Sequence, residues 1–103
     1  MLSYYVIYRN EDRADPAGMI IMDVATGDAI LWDQREHAWV YNPALVIRFL
    51  DDYRNFDRVT SVDRSSAEVV VRGITGGAPL PEEELARAIF QRSRRDRLSG
   101  SDD

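Results

Sequence analysis

Apolar and polar positions alternate with short periods over the first forty residues and with helical spacing after that. Ser3-Tyr4-Tyr5-Val6-Ile7-Tyr8-Arg9 is rich in aromatic and β-branched residues and predicts a strand. A polar run from Asn10 to Asp15 and the punctuation of Pro16-Ala17-Gly18 separate it from Met19-Ile20-Ile21-Met22-Asp23-Val24. That almost wholly apolar run suits a central strand. Ala25-Thr26-Gly27-Asp28 suits a hairpin connection to Ala29-Ile30-Leu31-Trp32. The polar turn Asp33-Gln34-Arg35-Glu36 leads to a fourth strand, His37-Ala38-Trp39-Val40-Tyr41. Connections this short imply an antiparallel meander, because parallel strands need long crossovers.

The period changes at Asn42-Pro43, a favoured cap followed by a proline suited to the first helical turn. Leu45, Val46, Phe49, Leu50 and Tyr53 then share one face of a helix, with Arg48, Asp51, Asp52 and Arg54 on the other. A polar loop over Asn55 to Arg58 ends it. Val59–Val62 reads as a short strand or an extended linker. Glu68–Arg72 resembles a strand by composition, but Ser65-Ser66-Ala67-Glu68 fits a capping box, and Ala67, Val70, Val71 and Ile74 follow helical spacing. The reading adopted is a helix over about 64–74, stopped by Gly73 and Gly76-Gly77. Pro81 and Glu82-Glu83-Glu84 open a last helix with an apolar stripe of Leu85, Ala86, Ile89 and Phe90. The expected organisation is one α+β domain over 1–98, a four-stranded meander followed by two or three helices, with a flexible tail over 99–103.

Three segments, Trp39-Val40-Tyr41-Asn42-Pro43, Val62-Asp63-Arg64-Ser65-Ser66-Ala67-Glu68 and Leu80-Pro81-Glu82-Glu83-Glu84-Leu85, resemble small uncharacterised proteins of GC-rich actinobacterial type. The resemblance covers about half the chain. It implies helices after Pro43 and near Ser65, and it implies no activity or site residue.

Composition removes several chemistries. The 103 residues contain no cysteine, which excludes disulfides, thiolate metal sites and cysteine nucleophiles. All 13 basic residues are arginine, so Schiff-base chemistry and a phosphate-loop lysine are excluded as well. His37, the one histidine, has Asp33 and Glu36 as sequence neighbours, which could form part of a metal or acid–base site. A polar hairpin turn accounts for the same three residues. No Gly-x-Ser-x-Gly elbow supports a serine nucleophile. No metal or cofactor is expected. No stretch has the ~18 apolar residues of a membrane helix, and the first residues lack the pattern of a signal peptide. The reading is a cytoplasmic protein with no membrane partner.

The strands carry the functional argument. Alternation puts Tyr4, Tyr8, Trp32, Trp39 and Tyr41 on one face and Tyr5, Ile7, Ile20, Met22, Leu31 and Val40 on the other, so both faces are apolar. Either helices wrap both sides, or one face is an interface. The more aromatic set, Tyr4, Tyr8, Trp32, Trp39 and Tyr41, is the candidate partner surface. Residues 1–63 hold 6 arginines and 11 acids, and residues 64–103 hold 7 of each. That acidic half would steer a basic partner, with Asp51 and Asp52 as local contacts. Residues 87–97 hold five arginines and one acid, but these scatter around the helix, which argues against nucleic acid as the main partner. The leading reading is a small acidic non-enzymatic module that binds a protein or a second copy of itself, as an inhibitor, immunity-type protein or accessory subunit. The alternatives are a small enzyme or ligand-binding domain with an aromatic pocket, and a nucleic-acid-binding regulator.

Overall fold

A computed structural model describes residues 1–100. Five strands form one sheet: β1 (Leu2–Tyr8), β2 (Pro16–Asp23), β3 (Ala29–Asp33), β4 (Ala38–Tyr41) and β5 (Val59–Val62). Their order is β4-β3-β2-β1-β5 and every neighbouring pair is antiparallel. The first four form the expected meander, and β5 adds to the far side of β1. Three α-helices complete an α+β fold: α1 (Pro43–Asp51), α2 (Arg64–Thr75) and α3 (Glu83–Gly100). The rest of the tail expected over 99–103 lies outside the described residues.

Register turns the alternation of each strand into two continuous surfaces. Val62, Tyr4, Ile21, Ile30 and Tyr41 are successive cross-strand partners and make one row across the whole sheet. Ser61, Tyr5, Ile20, Leu31 and Val40 make the row of the opposite face. The first face packs under α2 and α3 through Ala67, Val71, Ile74, Ala86 and Phe90. The second packs under α1 through Val46, with Phe49 and Leu50 half-buried beside it. Helices therefore wrap both faces.

Caps set the helix ends. The Asn42 side chain accepts from the Leu45 N–H, with Pro43 in the first turn of α1, as the sequence predicts. α2 is helical, which resolves the ambiguity over 68–72. Its cap is Asp63, whose carboxylate accepts from the Ser66 N–H at 2.8 Å; Glu68 instead holds Arg64 at 2.9 Å. β2 begins at Pro16 rather than Met19, because proline is tolerated as the first residue of a strand.

The stop of α2 uses two glycines differently. Gly76 has φ of 75°, the left-handed conformation that costs other residues about 1–2 kcal/mol. Gly73 sits inside the helix, and nothing lies near where its Cβ would be. Gly73→Ala is therefore expected to stabilise the protein by about 0.5–1 kcal/mol. Gly76→Ala is expected to destabilise it by about 1–2 kcal/mol. Urea unfolding midpoints of the two variants check both signs.

Candidate functional site

The aromatic strand residues lie on the covered face. Tyr4 and Trp32 are each 6% exposed, and Tyr8, Trp39 and Tyr41 are half-buried against the same core. This corrects the expectation that the set Tyr4, Tyr8, Trp32, Trp39 and Tyr41 forms an open partner surface. The cause is the chain path: α2 and α3 both return to this face and leave only α1 for the other. The Tyr4 hydroxyl accepts from Arg64 Nη1 at 2.8 Å, and the Tyr41 hydroxyl donates to Asp28 at 2.6 Å. Trp32 meets Trp39 edge-on at 5.5 Å and His37 edge-on at 5.1 Å. Its buried indole N–H finds no acceptor among the described residues.

His37 is exposed at the end of the β3–β4 turn, in the left-handed region. Asp33 accepts from the Arg35 and Glu36 N–H groups and so closes that turn. Among the described residues, no group of three His, Cys, Asp or Glu side chains could hold a metal ion.

Charges far apart in sequence cancel in the fold. The carboxylates of Asp23 and Asp28, at the two ends of the β2–β3 hairpin, are buried. Asp23 accepts from Arg87 Nη1 at 3.0 Å. Asp28 accepts from both Nε and Nη2 of Arg94, and from Thr26 and Tyr41. Two acids of the acidic half are thus neutralised by two arginines of the basic helix. The sequence-level charge split is not a surface split, and these two arginines are committed to the hairpin.

Asp51 and Asp52 separate in role. Asp51 is exposed at the end of α1. Asp52 caps the 3-10 helix that follows, Tyr53–Arg58, by accepting from the Arg54 N–H at 3.0 Å. The Arg54 guanidinium also grips its carboxylate, at 2.7 Å, and lowers its pKa to about 2. Asp52 is a paired cap, which corrects its reading as a free steering charge.

A depression of about 350 Å³ lies beside Leu2, Tyr4 and Val62. Arg64, which lines it, already donates to Tyr4, Glu68 and the Pro81 carbonyl.

The less completely covered side is that of α1. One nine-residue helix covers this face of a five-stranded sheet, so Tyr5, Ile7, Met22 and Leu31 stay only half-buried. Leu45 and Ile47 flank Val46, one on each side of α1, and each is 42% exposed. Beyond the helix, Tyr53 is 77% and Phe56 56% exposed. A 3-10 helix eclipses side chains three apart, so these two rings project from the same side. The Asn10–Asp15 loop adjoins them, where Arg13 Nε donates to the Asp57 carbonyl at 3.0 Å. The helical stripe read from sequence includes Leu45 and Tyr53 as core positions. It leaves out Ile47 and places Phe56 in a polar loop. The signal for the exposed pair is the tighter turn after Asp52, which rotates Tyr53 out of the stripe. No family model, curated protein or solved structure matches the chain.

Proposed function

We propose that the protein is a non-enzymatic protein-binding module of inhibitor, immunity-type or accessory kind, and that its contact surface is the α1 side of the sheet. One observation carries this reading: Leu45 and Ile47 on the two flanks of α1, and Tyr53 and Phe56 on the 3-10 helix after it, are all exposed. Apolar side chains grouped in this way mark interaction surfaces, and tyrosine and phenylalanine are enriched in their centres. Among the described residues, the buried carboxylates, Asp23 and Asp28, are held in structural ion pairs and are not free for acid–base work. No described helix is long and apolar enough to cross a membrane.

A photo-crosslinking residue placed at Tyr53 should capture a protein in the native cell. The same residue at Arg92, on exposed α3, should not. Equal capture from both positions, or none from Tyr53, would remove the α1 side as the contact surface.

A further inference from the structure

We infer that the occupant of the α1 surface is a second copy of this chain, docked helix against helix about a two-fold axis. The inference rests on the reading of this side as a contact surface and adds its partner.

With Val46 facing the sheet and ~100° of rotation per residue, Arg48 and Asp51 point within about 40° of the opposite direction. Both are exposed. Neither side chain has a hydrogen-bond or ion-pair partner among the described residues. Leu45 and Ile47 border this charged pair, one on each flank. The outward strip of α1 is thus an opposite-charge pair between two partly exposed aliphatic side chains.

Such a strip complements itself in one orientation only. A two-fold axis between Arg48 and Asp51 runs the two helices antiparallel and sets each Arg48 against the Asp51 of the other copy. Two ion pairs form, with the aliphatic side chains beside them. A parallel arrangement would set Arg48 against Arg48 and Asp51 against Asp51, which is repulsive. The self-complementary patch is what a two-fold interface requires.

The charge of the helical segment itself is balanced, as a self-pairing strip needs. Residues 43–58 contain three arginines and three aspartates, so α1 and the 3-10 helix after it carry no net formal charge of their own. The acids that make the chain negative lie elsewhere or are paired with α3. A nine-residue helix with its border is a small contact, so the dimer should be weak, with Kd of roughly 10–500 μM.

Sedimentation equilibrium of the full chain over a concentration series tests this. The wild type should shift from monomer to dimer. Arg48→Asp turns two attractive contacts into two repulsive ones, and Asp51→Arg does the same. Each should weaken association by roughly tenfold. The double variant Arg48→Asp/Asp51→Arg restores both pairs in reverse and should recover the wild-type Kd within about threefold. Its recovery also separates lost pairing from misfolding, which thermal melts of all four proteins confirm. Added salt should weaken the wild-type dimer, since the pairs are exposed and screened over about 8 Å at physiological ionic strength. A wild type that stays monomeric throughout, or a double variant no better than the singles, would overturn the inference. If the Tyr53 crosslink to a different protein then persists, the α1 side remains a contact surface and only the second copy falls. If that crosslink is absent too, both fall.

Discussion

Phe90→Ala is expected to cost about 3–5 kcal/mol, a large share of the stability of a domain of this size. Phe90 is buried to 1% exposure and is the largest side chain at full burial. It is the main anchor of α3 on the sheet, beside the small Ala86, and its ring meets Tyr41 at 6.2 Å. Removing it deletes the transfer free energy of a whole ring and opens a cavity between helix and sheet. A domain of this size is stable by only about 5–15 kcal/mol in total. Leu85, five residues earlier, is 54% exposed and provides the control. Leu85→Ala should change stability by no more than about 0.5 kcal/mol, as for other surface positions. Urea unfolding of the two variants at one pH makes the comparison. Similar midpoints would mean that α3 is not docked through Phe90, and the covered status of the aromatic face would fall with it.

Local pattern and long-range arrangement were legible to different degrees. The four meander strands and the helices after Pro43 and Pro81 follow from periods of two and 3.6 residues and from cap residues such as Asn42, whereas the segment over 64–74 fits a strand by composition and a helix by spacing. The two-sided apolar character of the sheet was legible as well, and with it the need for covers or a partner. Which face receives two helices was not, because it depends on the path of the chain after β5. β5 itself is only four residues long, and its pairing with β1, Tyr4 against Val62, joins residues nearly sixty apart. No local signal reports such a contact. The same holds for Arg87 with Asp23 and Arg94 with Asp28, which made an acidic half and a basic helix look like separate surfaces. The candidate site moved for a smaller reason. Tyr53 fits the α1 stripe only if the helix continues, and Asp52 ends it one residue earlier by capping a tighter turn.

Asp28→Asn is expected to cost about 1–3 kcal/mol at neutral pH and much less in acid. The native carboxylate accepts from the Tyr41 hydroxyl, the Thr26 hydroxyl and the Arg94 guanidinium. An amide of the same shape turns one of these acceptors into a donor and removes the charge that faces Arg94. The Arg94 side chain is 52% exposed and can rehydrate, which keeps the cost below that of breaking a fully buried ion pair. Burial pushes the Asp28 carboxyl pKa up, but the hydrogen bonds from Tyr41, Thr26 and Arg94 and the charge of Arg94 together hold it below its ordinary value. The folded state therefore keeps the carboxylate ionised at a pH where the unfolded chain has taken up a proton. The stabilisation from Asp28 is complete above the unfolded value of about 3.9 and is lost as pH falls through the lower folded value. Asp23 is lowered in the same direction: burial opposes the shift, and the hydrogen bond from Arg87 leads the groups that produce it. Wild type should thus lose stability in acid faster than Asp28→Asn, and their denaturation midpoints should converge below about pH 4. A difference that stays constant from neutral pH to pH 3 would mean that the carboxylate is not held ionised by its partners. In that case the link between the β2–β3 hairpin and α3 would owe its strength to shape alone.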